Sequence, residues 1–288
     1  MTTTPPTAMP NDVIQQIDLS YAAIGISSPN TIQPHLLRPE SDVVIIDALR
    51  STTTDVAVLA AGATHLLIKA KPPEDVTVDV AAQYRHLFKD GTLFVIGGEK
   101  HGRPLPGAAF GNSILADLVP ARVDGAVAIK YSTNGGHAFT TVKQLLAGSS
   151  KPAIFLATFA NHAAVAARLR ERGRQVVIVN SAFYGRCSLE DAVVGGRILR
   201  SLGLPNDQLD DDALLMALAA DRFGDDAELL MTLHRHRIGT ALAHYGHADD
   251  IDAAVTGRGV DTALWTRMRH TVPVATWVGD IPVVTARS

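Results

Sequence analysis

The chain has 288 residues, 47% hydrophobic and 19% charged, with a formal net charge of −3 and one cysteine, Cys187. That length allows one large domain or two small ones, and the composition supports a sizeable core and excludes a disordered chain. The absence of a basic excess argues against a nucleic-acid partner, and a lone cysteine excludes an internal disulfide framework and fits a reducing cytoplasm. No apolar run reaches the ~18 residues of a membrane helix, and the N-terminus shows no secretory pattern. A globular cytoplasmic protein without a membrane partner is expected.

Residues 1–11 are polar and proline-bearing and read as a loose tail. Residues 12–288 are expected to form a single α/β domain, with Gly148–Pro152 dividing two lobes that share a site. Val13 to Tyr21 alternates weakly and reads as an edge strand. The chain is organised around the next unit. Val43, Val44, Ile45 and Ile46 form a β-branched run suited to a strand buried on both faces. It is followed by Asp47, Arg50 and the four hydroxyls Ser51, Thr52, Thr53 and Thr54, then by a helical pattern to Ala61 that stops at Gly62. A carboxylate, a guanidinium and several donors thus stand where a strand hands over to a helix. Ligands of open α/β sheets gather at such places, and helix N-termini favour anions.

His65 to Lys69 reads as a second strand, Val76 to Lys89 as a helix, and Thr92 to Ile96 as a third strand leading into the loop Gly97–Gly102, which carries Glu99. Turn formers fill 103–113, followed by a short helix from Ile114. Gly125–Tyr131 reads as a strand, and Ser132, Thr133, Asn134, Gly135 and Gly136 as a loop. Its amides could cradle an anion, or it could be an ordinary turn with Thr133 or Asn134 as cap. The next helix carries Phe139, Val142, Leu145 and Leu146 on one stripe. Two further units follow: strand 153–157 with a helix capped by Asn161 and ending at Gly173, then strand 175–180 with a helix from Ser188 to Leu202. Strands alternating with helices on short loops imply a mostly parallel sheet covered on both faces. Beyond Asn206 the chain is acidic and helical, with a helix start at Asp210–Asp212 and an amphipathic stretch over 213–233. Val272–Val284, interrupted by Pro273 and Pro282, reads as an edge or irregular strand.

Neither G-x-G-x-x-G after a strand, nor G-x-x-x-x-G-K-[ST], nor H-E-x-x-H occurs, which disfavours a dinucleotide dehydrogenase or a P-loop NTPase. Cys187 has Val193 where a phosphatase cysteine loop would need arginine. His234, His236, His244 and His247 match no standard zinc spacing and read as a polar helical face with a turn. Ser188 and Asp191 suit a capping box, while the alternative places Glu190 or Asp191 on a metal. Magnitude decides the chemistry. A helix N-terminus supplies about 0.3–1 kcal/mol against a bound anion, whereas monoester hydrolysis needs accelerations up to ~10²¹. A divalent metal with an arginine on the same phosphoryl group can supply far more. Asp47 and Glu99 are oxygen ligands suited to Mg²⁺, and Arg50 suits bidentate phosphate contact.

Taken together, Ile46–Thr53, Gly98-Glu99-Lys100, Phe110–Ser113, Ser132–Gly135, Ser188–Asp191 and the following Gly195-Gly196 resemble, in order, the motifs of the 2-phosphosulfolactate phosphatase family. The resemblance covers about residues 42–200. It implies a three-layer α/β/α fold with a mixed, mostly parallel sheet, and Mg²⁺-dependent hydrolysis of the phosphate ester of a small sulfonated hydroxy acid in coenzyme M biosynthesis. Carried over, Asp47, Arg50, Glu99 and Glu190 are the catalytic candidates, and Asp47, Glu99, Glu190 and Asp191 the metal candidates. Arg50, Ser51, Thr52, Asn112, Ser132, Thr133, Asn134 and Gly135 are the phosphate or substrate candidates. Lys100, Ile114, Tyr131 and Gly136 depart from the family pattern and bear on substrate choice. An anion-binding protein without turnover is the alternative reading, and a homodimer is compatible with either.

Overall fold

The computed structural model describes residues 21–29, 40–70, 80–100, 102–146, 152–182 and 186–287. The expected tail at 1–11, residues 13–20 of the expected first strand, and 148–151 at the expected lobe boundary lie outside the described residues. The strands are β1 (Ala23–Ile26), β2 (Asp42–Ile46), β3 (His65–Lys69), β4 (Phe94–Lys100), β5 (Arg103–Pro104), β6 (Val127–Tyr131), β7 (Ile154–Ala157), β8 (Val176–Asn180), β9 (Val272–Val278) and β10 (Ile281–Arg287). The helices are α1 (Ser51–Ala60), α2 (Pro120–Val123), α3 (Thr133–Leu145), α4 (His162–Arg172), α5 (Leu189–Leu202), α6 (Asp211–Arg222), α7 (Asp226–Arg235), α8 (Arg237–His244), α9 (Asp249–Thr256) and α10 (Thr262–His270).

All ten strands join one sheet in the order β1-β8-β2-β7-β9-β10-β3-β6-β4-β5. Pairing is parallel within β1-β8-β2-β7 and within β3-β6-β4. The antiparallel hairpin β9–β10 joins the two parallel halves. Apolar clusters fill both faces, giving the three-layer α/β/α arrangement that parallel strands with buried faces require.

Val272–Val284 is therefore not an edge strand. It belongs to two strands that meet around Gly279 and Asp280 in the middle of the sheet. Proline is tolerated there because two-sided pairing is short. β9 meets β7 only at Val274 and Ala275, and β10 meets β3 only at Val283 and Val284, so Pro273 and Pro282 fall just outside those rungs. The stretch 213–233 is likewise two helices, α6 and α7, broken around Gly224. The helix expected over 76–89 is, in its described part, two short 3₁₀ turns at Val80–Gln83 and Arg85–Leu87.

Helix α1 carries the chain from β2 in one parallel half to β3 in the other, and all ten of its residues are buried. An interior helix can be apolar all round, and here even its hydroxyls are absorbed. Thr53 Oγ1 donates to Ala48 O at 2.7 Å, and Thr54 Oγ1 lies 2.8 Å from Asn112 O. The predicted stops at Gly173 and past Leu202 are glycines in the left-handed conformation.

Candidate active site

The site forms at the C-terminal ends of β2, β6 and β8. Asp47, directly after β2, stands three residues ahead of Arg50, the N-cap of α1, and bonds the helix start: its Oδ1 accepts the Ser51 N–H at 3.3 Å, and its carbonyl accepts the Thr52 N–H at 2.8 Å. Thr52 Oγ1 accepts the Asp47 N–H and donates to Ala157 O at 2.8 Å. The Thr52 hydroxyl proton is thus committed to the scaffold. The Ser51 hydroxyl accepts from Lys130 Nζ at 3.0 Å, so its own proton is not used in that bond.

Lys130 is a residue the sequence reading passed over. It is fully buried and also reaches Ser51 O at 2.7 Å and Asp55 Oδ1 at 2.6 Å. The available signal was a lysine inside the apolar run Ala128–Tyr131, where alternation turns it onto the face that carries α1.

Ser132–Gly135, expected as a loop, is the cap and first turn of α3. Ser132 makes no side-chain cap bond, and first-turn amides have no partner within a helix, so those of Thr133, Asn134 and Gly135 can serve an anion. This turn abuts the start of α1. A Cβ placed on Gly135 would lie 2.8 Å from Ser51 Oγ and 3.2 Å from Ser132 Oγ. Thr133 is exposed, Asn134 half-buried and Ser132 buried. Two helix N-termini therefore meet beside Asp47.

The third N-terminus is that of α5, which brings Glu190 and Asp191. The expected capping box does not form, because Ser188 makes no side-chain cap bond. Asp191 instead reaches across the sheet end, accepting the Ala48 N–H at 2.8 Å and the Ala182 N–H at 3.3 Å. Burial pushes the Asp47 carboxyl up to about 6, opposed by Lys130 and the Ser51 amide and assisted by Asp55 and Glu99. Burial likewise pushes Glu190 up to about 7, with Asp47 adding to the rise, and raises Asp191 well above the carboxylate range, with Glu190 and Asp47 adding. Asp47, Glu190 and Asp191 thus repel one another in a poorly solvated space.

Among the described residues, no three carboxylate, histidine or cysteine side chains are drawn together as a ready coordination shell. The chemistry of Asp47, Glu190 and Asp191 still fits a hard divalent cation, which would relieve their mutual repulsion. Glu99 is differently employed. It lies within β4, which runs on to Lys100 where a loop was expected, because Gly98, at φ +119, keeps pairing with Tyr131 at a point where a Cβ would strike Tyr131 O at 2.4 Å. Glu99 Oε2 takes Arg50 Nη2 at 2.5 Å, and Arg50 Nη1 donates to Asp250 Oδ2 at 2.8 Å. Asp250 stands in an acidic helix start, and nothing in the sequence marked it. Asn112 is buried with its Oδ1 unpartnered among the described residues, as are both side-chain polar atoms of Asn180, at the end of β8, and Ser181 Oγ. Orphaned buried polar groups at a strand-end cluster are what a ligand or bound water would satisfy.

His234 pairs with Asp252 at 2.7 Å and His247 Nε2 sits 2.8 Å from Gly102 O, so these two histidines serve local contacts. Cys187 is exposed as a residue, while partial burial of the thiol itself, with the Asp191 charge nearby, raises its pKa, which makes it a poor nucleophile. No helix among the described residues is long and apolar enough to cross a membrane.

The family described as 2-phosphosulpholactate phosphatase matches residues 26–264. A protein of Synechococcus sp. (strain JA-2-3B'a(2-13)) named "Probable 2-phosphosulfolactate phosphatase" is 35% identical over 215 residues, covering 73% of this chain and 81% of its own length. Proteins of the same name from Deinococcus radiodurans and Gloeobacter violaceus are each 30% identical, covering 73% and 72% of this chain and 81% and 80% of their own. The match extends beyond the sequence motifs into the helices that supply Asp250, and on that evidence the chain belongs to the 2-phosphosulfolactate phosphatase family.

Proposed function

We propose that the protein is a Mg²⁺-dependent phosphatase that hydrolyses 2-phosphosulfolactate to sulfolactate and inorganic phosphate in the cytoplasm, as a step of coenzyme M biosynthesis. The observation that carries this reading is the meeting of Asp47, Glu190 and Asp191 with the N-terminal turns of α1 and α3 at one end of the sheet. Family membership supplies the substrate class. The first-turn amides of α3, the Ser51 hydroxyl and the unused N–H groups of Arg50 hold the phosphoryl oxygens. Water attacks phosphorus in line with the ester oxygen. The P–O ester bond breaks, and the proton that water loses passes to the departing alkoxide. Glu190, whose hydrogen-bond partners lie in its own helix turn, is assigned to carry that proton. Mg²⁺ would be held by Asp47 and Asp191 with Glu190 adjacent, and when bound supplies charge neutralisation at the phosphoryl oxygens.

The test is phosphate release from 2-phosphosulfolactate by purified protein, with Mg²⁺ and after chelation. Turnover that chelation abolishes and Mg²⁺ restores, and that Asp47→Asn reduces by at least ~10²-fold, is the expected result. Tight substrate binding with no release would establish the anion-binding alternative and overturn the proposal.

A further inference from the structure

We infer that Asp250, in the C-terminal helical region, is the positioning residue that fixes the guanidinium of Arg50. The inference rests on the phosphatase reading above and adds a residue to it. Arg50 is held at both ends of its planar fork, Nη1 on Asp250 Oδ2 at 2.8 Å and Nη2 on Glu99 Oε2 at 2.5 Å, with side chains only 6%, 4% and 18% exposed for Arg50, Asp250 and Glu99. One carboxylate would leave the fork free to pivot. Two carboxylates on opposite nitrogens set its plane and leave the remaining N–H groups for a ligand.

Asp250 does more than pair. Its Oδ1 accepts the Ser113 hydroxyl at 2.7 Å, and the neighbouring Asn112 carbonyl takes Thr54 Oγ1 at 2.8 Å. His247 Nδ1 stands 3.7 Å from Asp250 Oδ2, while its Nε2 bonds Gly102 O at 2.8 Å. Asp117, facing the same charges, takes the Ser113 N–H at 3.2 Å. One carboxylate in the first turn of α9, where the helix dipole favours it, thus ties Arg50, the 112–113 segment and the C-terminal helices into one unit. Such a cluster is weak evidence for stability, since apolar replacement of buried ion pairs is often neutral. Its consequence is geometric: displacement of a phosphoryl-gripping arginine by ~1 Å can cost on the order of 10²-fold in rate.

The experiment compares Asp250→Asn, Asp250→Glu and Ser113→Ala with the unmodified full-length protein. It measures kcat and KM for phosphosulfolactate, inhibition by inorganic phosphate, and the melting temperature. Asp250→Asn is expected to lower kcat/KM by ~10–100-fold and to weaken phosphate inhibition in parallel. Ser113→Ala, which leaves the Arg50–Asp250 pair intact, should have a smaller effect on both. Asp250→Glu keeps the charge but moves it by one methylene. It provides the measurement if the Asn variant does not fold, and should again weaken phosphate inhibition. Unchanged or tighter phosphate inhibition in a folded Asp250 variant would overturn the inference, because a merely structural residue, or one that only neutralises Arg50, gives that outcome. Arg50→Lys separates the two claims. If it impairs turnover and phosphate inhibition while the Asp250 variants do not, the positioning role fails and the phosphatase reading stands. If Arg50→Lys leaves both untouched, Arg50 is no phosphate ligand and the reading of the site fails first.

Discussion

Asp191 Oδ1 accepts the backbone N–H of Ala48 at 2.8 Å, joining the first turn of α5 to the residue that follows Asp47 across 143 positions of sequence. Its other oxygen takes the Ala182 N–H at 3.3 Å, so this side chain sets the spacing between the ends of β2 and β8. Asp191→Asn keeps one acceptor but presents an amide to a second donor. A loss of about 1–3 kcal/mol is expected, measured by urea unfolding, together with loss of turnover. A variant of unchanged stability would show that the two amides do not depend on this carboxylate.

Lys130 and Asp55 form a buried pair at 2.6 Å beneath Ser51. Lys130→Met strands Asp55 and is expected to cost about 3–5 kcal/mol, whereas Lys130→Met combined with Asp55→Leu should recover most of that loss. A double-mutant cycle reads the coupling. If the double variant is no better than the single, the pair is not the reason Lys130 is tolerated in the core.

Gly136 lies in the first turn of α3. A Cβ there would lie 2.4 Å from Ala70 Cα and 2.7 Å from Ala70 N, backbone that cannot swing aside. Gly136→Ala is expected to destabilise by about 1–3 kcal/mol and, by tilting the first turn of α3, to weaken inhibition by inorganic phosphate. Calorimetry and inhibition assays on the same preparation test both halves.

Asp47 and Glu190 rise from ordinary values of 3.8 and 4.5 to about 6 and about 7 on burial. The folded state therefore keeps protons that the unfolded chain has already released. The stability tied to these two groups is full below the ordinary carboxylate range and is lost as pH rises through 6 and 7. His162 and His65, whose pKa values burial lowers from 6.5, act oppositely and cost stability as pH falls below that value. In the presence of chelator, Asp47→Asn should flatten the loss of melting temperature between pH 3.8 and about 6, the window that the Asp47 shift sets. Mg²⁺ should flatten it too, by stabilising the ionised carboxylates. Parallel pH profiles for Asp47→Asn and the unmodified protein would refute the assignment.

What the sequence determined by itself is local. β-branched runs such as Val43–Ile46 declare a strand buried on both faces, and Asp47, Arg50 and the hydroxyls declare a handover to a helix, because these signals lie within a dozen residues and depend on periodicity and capping. The order of the motifs was enough to point to the family. The tertiary structure alone decided which acids meet which partners. Glu99 bonds Arg50 while still facing the Asp47 charge, Asp191 left its own capping box for amides on two other loops, and Thr52 spent its proton on Ala157. It also placed the hairpin of Pro273 and Pro282 at the centre of the sheet and brought Asp250 to Arg50 from 200 positions away. Hydrogen-bond choice among buried groups depends on which donors the packed strands bring within ~3 Å, and that distance has no counterpart along the chain.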